Sequence, residues 1–248
     1  MKRIWRYLAL GVTVYLLVLV SSFPAERVKT MLESRVADLS LHAVTGSVFS
    51  GQARQLVYQG LNMGTLHWQF RPVALLLGRA EYRVELSHAD NHGQGKIGIT
   101  PLGRIYGRDL ELMLLPDRVI NHYSPVAVST SGELNLVLET LDFGGGLPRD
   151  LAGRVVWQDA AVLEPADIVL GDVEVALQGN GEELSGSVTR GGVLGASGDL
   201  ALLPGGHYRV NLVLRPDNDV STETLDLLEN YARIQANGDY VVNASGQL

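Results

Sequence analysis

The residues best placed to do chemistry in this chain are His88, Asp90 and His92. Two histidines four apart with an acid between them can hold a divalent cation when the backbone is helical. Here the run His88-Ala89-Asp90-Asn91-His92 follows an alternating stretch and leads into Gly93 and Gly95, so it reads as a solvated hairpin loop. No metal is assigned to it. His42, His67, His122 and His207 are scattered along the chain. The acid pairs Asp109 with Glu111 and Glu182 with Glu183 could share acid–base work only if their surroundings pulled their pKa values apart, and no apolar pocket is indicated beside them. Gly144-Gly145-Gly146 is not followed by Lys and Ser or Thr at a helix start, so it cradles no phosphate. There is no nucleophile elbow, Walker loop, dinucleotide fingerprint or His-Glu-x-x-His. No catalytic residue and no cofactor site is therefore assigned. A periplasmic hydrolase would need a Ser/His/Asp or metal cluster that the sequence does not display.

The elements that would carry any site are strands. Leu66, Trp68 and Phe70 alternate with His67 and Gln69; Tyr82, Val84 and Leu86 alternate with Glu81, Arg83 and Glu85; and Leu134, Leu136 and Leu138 keep the same period. Val173, Val175 and Leu177 continue it, as do Tyr208, Val210, Leu212 and Leu214. A period of two marks half-buried strands, and the Gly, Asn, Asp and Pro clusters between them mark hairpins. Antiparallel meanders are implied. Trp68 and Trp157 sit in apolar strand contexts, where an aromatic ring belongs to packing. Only two later stretches predict helix: Pro72 to Leu77, a turn or two, and Ser221 to Ala232, with Ser221 or Thr222 as cap.

The β region contains an internal likeness. An offset of 107 residues sets Gly46 on Gly153, Val48 on Val155, Ala53 on Ala160, Leu56 on Leu163 and Gly64 on Gly171 without a gap, and then Leu66-Trp68-Phe70 on Val173-Val175-Leu177. Stacked strand units bury a shared apolar face that one unit could not bury alone. Leu66, Trp68, Phe70, Val173, Val175 and Leu177 are therefore the candidate groove or core face. The loop at Gly144–Pro148 divides a first β half, 43–143, from a second, 149–248.

Ahead of this body stand Lys2, Arg3 and Arg6, then an uncharged run of mainly Leu and Val from Tyr7 to Phe23. Residues 1–6 read as a cytoplasmic end and 7–23 as a transmembrane anchor, and the positive-inside rule puts the chain beyond residue 24 on the far side of the membrane. Ser21-Ser22-Phe23-Pro24-Ala25 lacks a clean small-x-small cleavage site, which favours a retained anchor. Residues 24–42 read as a juxtamembrane helix and linker, with Val28, Met31, Leu32 and Val36 at helical spacing. The chain has 248 residues and no Cys, so an oxidising compartment imposes no disulfide. Without Lys2, Arg3 and Arg6 it carries 17 basic residues against 27 acidic ones, which argues against a nucleic-acid partner.

This order of features resembles the protein N family of the bacterial type II secretion system. The likeness rests on the short end with its single anchor, on Thr45-Gly46-Ser47-Val48-Phe49-Ser50-Gly51-Gln52-Ala53, on Leu66-His67-Trp68 with Arg71-Pro72, and on Leu75-Leu76-Leu77-Gly78. Further on it rests on Leu151-Ala152-Gly153-Arg154-Val155-Val156-Trp157, Leu170-Gly171, Gly198-Asp199-Leu200, Tyr208 and Leu214-Arg215-Pro216. Phe49 stands where Trp is more usual, which keeps an aromatic in place. The resemblance implies an inner-membrane protein with a periplasmic body, accessory to export of folded proteins through an outer-membrane secretin, and it implies no catalysis. Such proteins are also similar in architecture to repeated β-groove proteins tied to phospholipid traffic, though fold alone does not give function.

The expectation is a mainly β protein: an N-terminal transmembrane helix, then a repeated, antiparallel, curved, groove-like sheet. It would act as a non-catalytic scaffold whose partners are other secretion components, the inner-membrane platform or the secretin, with strand edges pairing onto them. The alternative is a periplasmic lipid- or hydrophobic-ligand-binding groove in intermembrane lipid transport. An apolar face packed against a second layer would sink that alternative.

Overall fold

The structure, a computed structural model, describes residues 38–248 apart from 89–90, 124–127, 144–146, 165–166, 218–219 and 248, together with Gly11, Ala25, Glu26, Lys29 and Glu33. Those five N-terminal residues are helical. The proposed anchor, 7–23, lies outside the described residues but for Gly11, and among the described residues no helix is long and apolar enough to cross a membrane.

From Leu39 the chain folds back and forth into one antiparallel sheet. The first strands are β1 (Leu39–Gly46), β2 (Ser50–Tyr58), β3 (Leu61–Phe70), β4 (Ala80–His88), β5 (Asn91–Ile99), β6 (Ile105–Leu114) and β7 (Ser129–Phe143). After the glycine loop come β8 (Pro148–Glu164), β9 (Ile168–Gly179), β10 (Leu184–Gly191), β11 (Ser197–Leu202), β12 (His207–Leu214), β13 (Arg233–Ile234) and β14 (Tyr240–Gln247). The order across the 14-stranded sheet is the order in the chain, except that β14 lies between β12 and β13. The sheet is open, and β1 and β13 are its edges. β7 and β8 pair from Ser129 with Glu164 to Phe143 with Pro148, so both predicted halves lie in this single sheet.

Turn chemistry accounts for the meander. Gln59 and Gly60 join β2 to β3 with φ of 50° and 82°, the left-handed pair of a two-residue type I′ hairpin. The alternation then sets the faces, because residues directly opposite on neighbouring strands share a side.

The two ends of the sheet are built differently. At the end where the chain enters at Leu39 lie α1 (Pro116–Tyr123) and α2 (Thr222–Tyr231). Ser221 caps α2 by accepting from the Thr224 amide at 3.2 Å. The opposite end carries short turns and a 3-10 helix, Pro72–Leu77, closed by Gly78 in the left-handed region.

Candidate hydrophobic face

The candidate residues fall on one side of the sheet. Leu66, Leu86, Gly93, Leu112, Leu136, Val155 and Val175 are consecutive cross-strand partners from β3 to β9. A second row runs Leu110, Leu138, Gly153, Leu177, Gly186, Leu200, Val210, Ala244. The third begins at Phe70 and passes through Tyr82, Ile97, Gly107, Leu141, Leu151, Gly179, Leu184, Leu202 and Tyr208 to Gly246. Every position in the three rows is apolar, aromatic or glycine, and Trp68, paired with Val84, and Val173, paired with Trp157, belong to the same side.

Among the described residues there is no second sheet to cover this side. Besides hydrogen-bonded neighbours, the contacts of any extent are those of the two helices and two 3-10 turns with the strands beside them. Leu66, Trp68, Phe70, Val173, Val175 and Leu177 are accordingly half-buried. Among the described residues the buried apolar side chains larger than alanine are Leu41, Tyr106, Leu138, Leu151, Leu194 and Leu214, few for so large a sheet.

Glycines on this side let side chains lie flat across the strands. A Cβ at Gly51 would stand 2.5 Å from Cζ2 of Trp68, so the indole lies over the bare backbone. Trp68 Nε1 donates to the Ser47 carbonyl at 3.0 Å. Phe70 joins Phe49 and Tyr82 edge to face at 5.0 and 5.3 Å. Trp157 Nε1 donates to the Ser131 carbonyl at 2.9 Å. At the 107-residue offset, Ala53 and Ala160 are both fully buried, and Gly64 and Gly171 both take positive φ, 96° and 70°.

The opposite side is polar. Its central row runs His67, Glu85, Gln94, Glu111, Val137, Arg154, Ala176, Ser187, Asp199, Asn211, Asn243. A shallow depression of about 710 Å³ lies over its β3 to β8 part. Asp109 meets Lys96 at 2.5 Å, and that ammonium holds its carboxyl below the ordinary value. Glu111 accepts from Gln94 at 2.7 Å, and the Glu182 and Glu183 amides donate to the Asn180 side chain at 2.9 Å. The paired acids are thus parts of cross-strand ladders and a turn. His92 pairs with Ser87 and His88 with Asn91, which puts the two histidines on opposite faces, and among the described residues no three His, Asp or Glu side chains gather as a metal requires.

One polar cluster has no motif to announce it in the sequence. Glu81 is buried, with Oε1 2.5 Å from Arg71 Nη1 and Oε2 accepting from the Tyr106 hydroxyl at 3.0 Å. Arg79 and Arg108 lie 5.7 and 5.8 Å from the Tyr106 ring centre. Burial and the Glu81 carboxylate push the Tyr106 phenol above its usual range. In the sequence Glu81 is an ordinary polar alternant. The only prior signal is that Arg71 and Glu81 bracket a turn.

The family model described as "Type II secretion system (T2SS), protein N" matches residues 37–243. Curated relatives named "Type II secretion system protein N" include one from Vibrio cholerae serotype O1, 26% identical over the whole of both chains. One from Aeromonas hydrophila is 25% identical over 97% of each chain, and one from Klebsiella pneumoniae is 28% identical over 82% of this chain and 80% of its own. No solved structure matches. With the family model covering the whole sheet from β1 into β14, this chain belongs to the type II secretion system protein N family.

Proposed function

We propose that this protein is a non-catalytic accessory component of the type II secretion system that supports export of folded proteins through its uncovered apolar face. In this reading residues 7–23 hold it in the inner membrane as a single pass, residues 1–6 remain in the cytoplasm, and the β body stands in the periplasm. The face forms a groove along which Leu66, Trp68, Phe70, Val173, Val175 and Leu177 meet a hydrophobic ligand, the acyl chains of a lipid.

One observation carries the choice: apolar rows crossing the sheet from β3 to β14 lie largely half-buried, with no second sheet over them among the described residues. Exposed apolar area of that extent on a folded protein calls for a ligand or a partner. Edge pairing with the inner-membrane platform or the secretin is the second reading. It is favoured by the open edges, although the β1 edge is partly closed where Glu33 Oε1 accepts from the Leu41 amide at 2.7 Å.

The test is photo-crosslinking in secreting cells, with a benzophenone amino acid at Leu66 or Val175 on the face and at His42 on the β1 edge, followed by mass spectrometry. Lipid adducts at the face positions support the groove. Protein adducts confined to the edge position, with the face unreactive, transfer the function to edge pairing.

A further inference from the structure

The end of the sheet remote from Leu39 carries an exposed aliphatic tip. Val73, Leu75, Leu76 and Leu77 of the 3-10 helix are 69%, 55%, 86% and 73% exposed, and Leu102, in the turn between β5 and β6, is 80% exposed. The two turns sit side by side: a Cβ on Gly78 would lie 3.5 Å from Pro101 Cγ. Ile99, Ile105 and Phe143, at the ends of β5, β6 and β7, extend the patch inward.

The two turns at the tip carry cations and no acid. Arg71, Arg79, Arg104 and Arg108 flank the two turns, and no acidic residue occurs between 71 and 80 or between 100 and 108. Of the acids next along the chain, Glu81 is buried and already bound to Arg71 and Tyr106, and Asp109 is paired with Lys96; Asp142 stands opposite Tyr106 on β7. The whole chain carries a formal −7, so this basic collar is a local exception. Aliphatic side chains projecting beyond a ring of arginines match a bilayer surface, with apolar tips among acyl chains and guanidinium groups among anionic headgroups. Between 72 and 78 no side chain can donate or accept a hydrogen bond, and none is aromatic, which fits a protein partner's hot spot poorly.

We infer that this tip, Val73 to Leu77 with Leu102, inserts into the surface of a bilayer containing anionic phospholipid. The inference is independent of what occupies the apolar face. Strands of this length span about 30 Å, so the tip stands far from the end at which the N-terminal segment joins.

The chain has no cysteine, so Leu76→Cys takes a single nitrobenzoxadiazole fluorophore, and a side chain this exposed tolerates the change. Full-length protein in phosphatidylcholine nanodiscs is titrated with phosphatidylglycerol–phosphatidylethanolamine vesicles, a nitroxide-labelled lipid being placed in one bilayer or the other. The expected result is a blue shift at position 76 with quenching several-fold stronger than for the same label at Leu163→Cys, an exposed apolar position at the other end. Arg104→Glu should weaken the vesicle response several-fold. Emission at 76 that stays aqueous and unquenched by lipid in either bilayer overturns the inference. A blue shift that needs added secretion proteins and occurs without lipid quenching also overturns it, and assigns the tip to a protein partner.

Discussion

Replacing Trp68 measures how far an uncovered sheet is held by side chains lying across their neighbours. A fully covered indole buries roughly 150–250 Å². About half of that, at ~25 cal/mol per Å², amounts to about 2–3 kcal/mol for the half-buried ring over Gly51. Losing the Nε1 bond to the Ser47 carbonyl adds about 1 kcal/mol. Trp68→Ala should therefore cost ~3–4 kcal/mol, and Trp68→Phe, which keeps a ring over the glycine, ~1–1.5 kcal/mol. In a chain of this size those losses correspond to melting shifts of about 10 °C and roughly 3 °C. Far-UV circular dichroism of the full chain during urea and thermal unfolding reads both. Should Trp68→Ala unfold within ~0.5 kcal/mol of the parent, the ring does not stabilise the sheet and the reasoning fails; a Phe variant as damaged as the Ala variant would assign the effect to the hydrogen bond.

Other perturbations test the polar side and its buried cluster. Asp109 has its pKa lowered by Lys96, so whatever its ion pair contributes is present above the unfolded carboxylate range and lost as pH falls through the lowered folded value. Carbon-detected NMR should find that midpoint below 3.8, and Lys96→Met should move it upward. The raised pKa of Tyr106 gives the converse dependence: its contribution is complete below the ordinary phenol value of 10.0 and is lost as pH rises through the folded one. Tyrosinate absorbance should show Tyr106 ionising late, and Glu81→Gln should bring it earlier by removing the carboxylate that opposes ionisation. Gly98→Ala places a Cβ 2.4 Å from Cζ of Tyr106, so it should displace the ring, and it should lower the melting temperature by several degrees, at about 1–3 kcal/mol for an overpacked site.

Most of the sheet can be read from the period of its apolar residues. Leu66-Trp68-Phe70, Tyr82-Val84-Leu86 and Val173-Val175-Leu177 each lie within a strand, because a one-sided sheet imposes strict alternation. Pro72–Leu77 forms the expected short helix, and Ser221 caps α2. The helix α1 is an addition to the two expected within the β region: Pro116 with Asp117 behind Leu115 supplies a start signal, but the helix is shorter than a periodicity window resolves. Cross-strand partnership cannot be read locally. That Leu66 and Val175 belong to one row depends on the register of every intervening hairpin. Glu81 is hidden for the same reason: its burial is decided by Tyr106, twenty-five residues away. Exposure of Leu75 to Leu77 is equally unreadable, since a run of leucines ordinarily signals a core.

The order of strands has a consequence for how this chain acquires its shape. Each strand up to β12 pairs with the strand just made, and only β14 closes on a partner across an intervening helix and strand. Most of the other loop closures are short, so the entropy lost at each of those steps is small and is recovered at once by the new ladder. A chain made from its amino end onward can thus zip hairpin onto hairpin as it emerges, with no early strand waiting unpaired for a distant sequence. The same ordering makes the sheet extensible: a hairpin gained or lost leaves the neighbouring pairings intact, so the width of the sheet can change by single hairpins while its plan stays the same.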